Sequence, residues 1–199
     1  MLEKPDVLKI LKESGAYLEG HFLLTSGLHS PQYIEKFRVL ERPERASVLC
    51  EELARRFADD EVNVVLGPAV GGIIIAYEVA KQLGARAIFA ERESGRLCLR
   101  RGFVLGEGDR VLVVEDIATT GGSVGEVIEL VKASAADLVG VGLLVDRSGG
   151  RLSFGVRTEA LVSLEIEAYA PDECPLCRKG IPISQRGSRG LGAQTIVYG

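Results

Sequence analysis

Along the first forty residues the apolar positions follow two rhythms. Over residues 6–14 they recur at helical spacing among charged side chains, and Gly15 supplies a stop, so a short amphipathic helix opens the chain outside the main sheet. Residues 20–37 instead hold two apolar clusters, Phe22-Leu23-Leu24 and Tyr33-Ile34, around the polar turn Thr25-Ser26-Gly27-Leu28-His29-Ser30, which predicts a hairpin. A helix is expected over residues 43–57. Beyond it, short continuous apolar runs alternate with helical stretches. A strand at 62–66 leads through a Gly-rich turn at 67–72 into a helix at 73–83, and a second strand follows at 87–90. A polar, Arg-rich stretch then precedes a strand at 111–114, another Gly turn, a helix at 123–134 and a strand at 138–145. Runs of this kind are parallel strands buried on both faces and joined by right-handed crossovers. The predicted fold class is α/β, a central parallel sheet flanked by helices, and such sheets bind ligands at the carboxyl ends of their strands.

Composition narrows this picture. A chain of 199 residues with 46% hydrophobic and 26% charged content can bury one sizeable core, so one domain with appendages is expected. The net charge of -4 and pI near 5.4 give no general polyanion-binding surface, and nucleic acid is not an expected partner. No apolar run approaches the roughly 18 residues of a membrane span, and the opening Met1-Leu2-Glu3-Lys4-Pro5-Asp6 lacks the basic-then-apolar layout of a signal peptide. A cytoplasmic protein without a membrane partner is therefore expected. Cys50, Cys98, Cys174 and Cys177 are too few for a disulfide framework in a chain of this size and are expected to be reduced. The last 26 residues, from Cys174, contain no acid, are rich in Gly and Arg, and predict a loosely ordered tail or an edge segment.

The candidate chemistry lies between Val111 and Ser123. Four apolar residues bury Val111 to Val114, so Glu115 and Asp116 are expected to emerge side by side where the strand leaves the sheet. Adjacent carboxylates repel and are tolerated when hydroxyls or a metal ion occupy the space between them; a ribose diol offers two donors at matching separation. Thr119-Thr120-Gly121-Gly122-Ser123 then brings hydroxyls and small residues to the start of a helix, where backbone N–H groups can turn inward around an anion. A Gly-rich strand-to-helix turn alone often binds nothing. The acid pair in front of it points to a 5-phosphoribosyl group, the acids on its 2- and 3-hydroxyls and the turn on its phosphate. Neither the Gly-x-x-x-x-Gly-Lys-Ser/Thr of a P-loop nor the Gly-x-Gly-x-x-Gly of a dinucleotide site is present in this stretch.

This stretch closely resembles the PRPP-binding signature of type I phosphoribosyltransferases: an apolar run, two acids, a variable pair, then small and hydroxyl residues. The resemblance implies a parallel sheet with a small hood over the site, transfer of ribose 5-phosphate from PRPP to a nitrogen nucleophile, and release of pyrophosphate with Mg2+. Ala118 and Thr119 to Ser123 would belong to the PRPP site, with Mg2+ held mainly through PRPP. The segment from Gly20 to Tyr33 is similar to the hood of orotate phosphoribosyltransferases, in which a Ser-Gly turn lines the base; here that turn is Ser26-Gly27. Gly67-Pro68-Ala69-Val70-Gly71-Gly72 is similar to the family's pyrophosphate loop, which would add Ala69, Val70 and Gly71 to the PRPP site. Asp146-Arg147 is similar to a strand-end pair whose arginine grips the orotate carboxylate, a task suited to the guanidinium fork. Thr119 would sit under the same base and Tyr33 could pack on its face, although a half-buried hairpin tyrosine reads the same way. On this resemblance the hood is residues 1–40, the core 41–170 and the tail 171–199.

Three positions depart from better-known members of the family. A hood lysine, a lysine in the pyrophosphate loop and a lysine- and histidine-bearing mobile loop are replaced by Thr25, Gly71 and the stretch 91–103. Arg92, Arg96, Arg100 and Arg101 can neutralise pyrophosphate there, Arg92 and Arg96 as the PRPP-binding pair, unless the run is only a solvated loop. Guanidinium does not readily give up a proton. Catalysis by Glu115, Asp116 and Arg92 is accordingly expected to be electrostatic, through an oxocarbenium-like state with no strong base. The resemblance also implies a homodimer in which residues 91–103 reach a neighbouring site. A transferase for another base, or a PRPP-sensing regulator of the same fold, are the alternatives. His21 and His29 are expected to serve the hairpin. Cys174-Pro175-Leu176-Cys177 supplies two of the usual four zinc ligands and is expected to hold buried or turn thiols, while Arg178, Lys179, Arg186 and Arg189 pair with acids or remain solvated.

Overall fold

In a computed structural model of the chain, residues 2–24 and 26–185 are described. Helix α1, Lys4–Glu13, starts earlier than the apolar pattern predicts because Glu3 and Asp6 form a reciprocal capping box and Pro5 sits in the first turn, where its missing N–H costs nothing. Its Val7 and Leu11 are buried. The expected hairpin is β1, Tyr17–Leu23, antiparallel to β2, His29–Ile34, with an irregular register between Glu19 and Phe22. A short helix α2, Phe37–Leu40, and the longer α3, Pro43–Arg55, lead into the sheet.

Strands β3 (Val64–Pro68), β4 (Arg86–Glu93), β5 (Arg96–Leu99), β6 (Arg110–Ala118), β7 (Asp137–Asp146) and β8 (Thr158–Ser163) form one sheet in the order β5-β4-β3-β6-β7-β8. All neighbours are parallel except β4 and β5. Helix α4, Gly71–Leu83, follows β3, and α5, Gly122–Lys132, follows β6. The chain leaves β3 towards β4 and returns on its other side at β6, so the order reverses between these two strands. A crevice opens at such a reversal, beyond the strand carboxyl ends, and here the two Gly-rich turns flank it.

The strand period of two divides the core into layers. Val65, Leu112 and Val114 pack with α1, α3 and α4, whereas Val64, Leu66, Val111 and Val113 pack with α5. Two strands escape the sequence pattern. Strand β5 is only four residues long and turns back from β4 through Ser94 and Gly95, both at positive φ, so the Arg-rich stretch is largely an antiparallel hairpin. Edge strand β8 buries only Leu161 and Val162, too few for a visible apolar run.

Over the described residues 174–185 the chain forms an edge segment. The short helix α6, Pro175–Arg178, is followed by β9, Ser184–Gln185, which pairs in parallel with β1 and completes a small sheet in the order β2-β1-β9. Arg186 and Arg189 of the expected tail, and Thr25 of the hairpin turn, lie outside the described residues. Among those described, no helix is long and apolar enough to cross a membrane.

Candidate active site

Strand β6 does not end at Val114. It stays paired with β7 through Ala118, so the acids belong to the strand and inherit its alternation. Glu115 follows Val111 and Val113 to the α5 face, and Asp116 follows Leu112 and Val114 to the other. The expected side-by-side arrangement is therefore replaced by two different environments. Glu115 lines an open cleft of 340 Å³ and folds back so that one oxygen accepts the Asp116 N–H at 3.1 Å. Asp116, 2% exposed, lies under the other side, gripped by Lys36 Nζ at 3.0 and 2.9 Å from its two oxygens.

Burial raises both acids above the ordinary carboxylate range. Desolvation, with the Asp116 charge adding to it, pushes Glu115 up to about 8. Desolvation also raises Asp116, against the opposing attraction of Lys36. A buried carboxylate held mainly by one backbone N–H wants further donors, and ligand hydroxyls or a cation would supply them.

The same cleft is lined by Arg92, Ala118, Thr119, Thr120, Gly121, Gly122 and Ser123, with Ile117, Val124 and Glu126. Its floor is the amino end of α5, whose first turn carries no acid, so the helix presents free N–H groups and the positive end of its dipole. Gly121 makes the turn possible. Its φ is +76°, and an added Cβ would stand 2.7 Å from the Phe154 ring, so both backbone and space require glycine.

Ala69, Val70 and Gly71 form the loop after β3, across the crevice and outside the residues lining this cleft. Gly71 is pressed against Asp116: a Cβ there would meet Asp116 Oδ2 at 1.6 Å. Any side chain at 71 would have to displace the Asp116 carboxylate. Arg92 reaches the cleft but is held bidentately by Glu126, at 2.8 and 3.2 Å. Arg100 pairs with Glu91 and Glu93, and Arg101 with Glu91. Arg96 begins β5, opposite Glu93, and does not line the cleft.

A second cleft, of 280 Å³, adjoins the first at Thr119, which lines both. Leu24, Ser26, Tyr33, Ile34 and Arg147 complete it. Gly27 shapes the hairpin turn at φ +83° without lining the cleft. Arg147 is fixed through its backbone. Its N–H donates to Ala118 O at 2.8 Å, and the preceding buried Asp146 accepts from Ser148 and Gly150 N–H and the Ser163 hydroxyl. Its Nε is buried without a hydrogen-bond partner among the described residues, and desolvation lowers its affinity for the proton. A guanidinium in that state is a vacancy for an anion.

Residues 40–154 match the model of the phosphoribosyl transferase domain. The chain is 53% identical over 190 residues to an orotate phosphoribosyltransferase of Pelotomaculum thermopropionicum, covering 96% of this chain and 100% of that one. The chain belongs to the orotate phosphoribosyltransferase family. A family member from Thermotoga maritima is 51% identical over 185 residues, covering 93% of this chain and 99% of that one. The crystal structure of the orotate phosphoribosyltransferase from Aeropyrum pernix superposes with a TM-score of 0.69 at 31% identity, over 80% of this chain and 94% of that one. Membership in the phosphoribosyltransferases agrees with the mostly parallel sheet and with the cleft at the reversal of its strand order.

Two residues beside the clefts were not anticipated from the sequence, and a third gains a role there. Lys36 stands two residues beyond β2 with no motif around it, and only the fold brings it across to Asp116. Glu126 is one helical turn past Gly122, so its position facing the cleft was legible, but its arginine partner was not. Asp146 carried the strand-end signal and proves to organise the loop that presents Arg147.

Proposed function

We propose that the two adjoining clefts hold PRPP and orotate, and that the chain transfers the 5-phosphoribosyl group from the first to the second. The observation that carries the base assignment is Arg147: a buried, unpartnered guanidinium nitrogen beside a mixed apolar and polar cleft selects a flat ligand with a carboxylate over a neutral base. Tyr33 and Ser26 then bound the base from the hood, Gly27 shapes the turn that presents Ser26, and Thr119 lies where base and sugar meet.

In this reading the N–H groups and hydroxyls of Ala118 through Ser123 receive the 5-phosphate. Glu115 accepts from one ribose hydroxyl, and Asp116 shares its carboxylate between Lys36 and the other. The loop Ala69-Val70-Gly71 faces the pyrophosphate from across the crevice. Arg92 turns from Glu126 to that leaving group, and Arg96 approaches it from the hairpin. The bond from C1 to pyrophosphate oxygen breaks, C1 bonds to the orotate ring nitrogen, and the nitrogen's proton passes to solvent. Positive charge developing on the ribose ring is stabilised by the buried acids, which gain most from a charge that exists only in the transition state. The donor set of the cleft, carboxylate and hydroxyl oxygens without thiol or imidazole, fits Mg2+ carried in with PRPP. When bound, Mg2+ would neutralise the leaving pyrophosphate.

A homodimer is supported by the family resemblance, and a cytoplasmic location by four free cysteines. Replacing Arg147 with Ala tests the base assignment. Loss of a charge-assisted pair, about 1.5–3 kcal/mol, should raise the orotate KM roughly 10- to 100-fold and leave the PRPP KM nearly unchanged. An unchanged orotate KM would remove the base from this cleft.

A further inference from the structure

The hood contains a second cluster of chemistry unrelated to PRPP. His21 in β1, His29 in β2, and Cys174 and Cys177 at α6 converge, with one ligand atom from each lying within 4.8 Å of the others. We propose that these four side chains bind a structural Zn2+ ion.

The distances fit a tetrahedron. Metal bonds of about 2.0–2.1 Å to nitrogen and 2.3 Å to sulfur imply ligand edges of about 3.3 Å for N–N, 3.6 Å for N–S and 3.8 Å for S–S. Here His21 Nε2 is 3.0 Å from His29 Nδ1, and Cys174 Sγ is 3.6 Å from His21 Nε2. Cys177 Sγ is 3.8 Å from His21 Nε2 and 3.2 Å from His29 Nδ1. The other nitrogen of His21, Nδ1, lies 2.7 Å from the carbonyl oxygen of Ile181. Donation there fixes the tautomer that leaves Nε2 with its lone pair facing the cluster, the usual support of a ligating histidine. His21, His29 and Cys174 are buried and Cys177 is exposed, which leaves a way in for the ion.

Two soft thiolates with two imidazoles suit zinc over Mg2+ or Ca2+, and four protein ligands with no open position describe a structural site. Binding converts two thiols to thiolates and releases their two protons to solvent, with no change of oxidation state. The site joins parts of the chain about 150 residues apart, since Cys174 is 153 positions from His21. It would clamp the segment Cys174 to Ile181 onto the hairpin whose turn and second strand contribute Ser26 and Tyr33 to the base cleft. The hairpin is also held by the two-residue strand β9, by the pairing of His29 with Tyr169 and by the Ser30 hydroxyl donating to Glu167 O. The CxxC motif thus acquires its missing ligands from histidines whose sequence spacing gave no sign of them.

The test uses the full chain without a histidine tag. After zinc loading and gel filtration, elemental analysis should find about one zinc per chain, and the Cys174→Ser/Cys177→Ser variant should retain less than about a tenth as much. Equal zinc in the two proteins, or none in the wild type, would overturn the site. Should the variant fail to fold, Co2+ in the wild-type chain decides. Intense visible bands with sulfur-to-cobalt charge transfer support a tetrahedral thiolate site, whereas a weak six-coordinate spectrum overturns it. Recovery of a Cys174–Cys177 disulfide from protein prepared under reducing conditions would also overturn it.

Discussion

Glu115 is where stability and function oppose each other. Its carboxyl titrates near 8 in the folded protein against an ordinary value of 4.5, so between those values the native state holds a proton that the unfolded state has lost. Stability contributed by the neutral acid is full below about 4.5 and falls as pH rises towards about 8. Glu115→Gln keeps the shape and removes the titration. Its melting temperature relative to wild type should rise progressively from pH 5 to pH 8, while turnover falls by about 10²-fold or more with the lost electrostatic stabilisation. Thermal scans across that range check the first part, and a constant difference would place the Glu115 titration elsewhere. Asp116 behaves differently because Lys36 stands against it. Lys36→Met should leave a buried carboxylate unpaired, costing about 3–5 kcal/mol in urea unfolding. The acid pair was legible in the sequence from the apolar run before it; its inequality was not, because Lys36 is 80 residues away.

At the scale of elements, the two Gly-rich turns have separate reasons for their glycines. Gly121→Ala meets a positive φ and the Phe154 ring, so it should cost about 1–3 kcal/mol of stability and raise the PRPP KM. Gly71→Ala forces Asp116 away from Lys36 and should weaken both turnover and folding. Chemical unfolding beside steady-state kinetics separates the two effects. The hairpin of β4 and β5 holds Arg92 on Glu126, and Arg92 must exchange that partner to meet a pyrophosphate. Glu126→Gln should therefore lower the PRPP KM a few-fold, whereas Arg92→Ala should raise it; a rise in both variants would mean that the pair acts as a unit. The strands with continuous apolar runs, β3, β6 and β7, were visible in the sequence because both of their faces are buried. Strands β5 and β8 were not, because an edge strand needs apolar residues on one face at most.

The whole molecule places two recognition problems on either side of Thr119. One cleft is built by the sheet and α5, where the strand order reverses; the other is closed by a hood drawn from both ends of the described chain. The sheet half was foreseeable from the alternation of strands and helices. The hood's closure by residues 174–185 was not, because β9 is two residues long and α6 four. On the proposed assignment the base is chosen in the second cleft, so the measurement that bears most directly on the account is turnover with PRPP and Mg2+ across orotate, uracil, adenine, hypoxanthine and xanthine. Orotate should be consumed in step with pyrophosphate release, with the bases that lack a carboxylate turned over at least about 10²-fold less efficiently. Turnover of a purine with none of orotate would contradict the account.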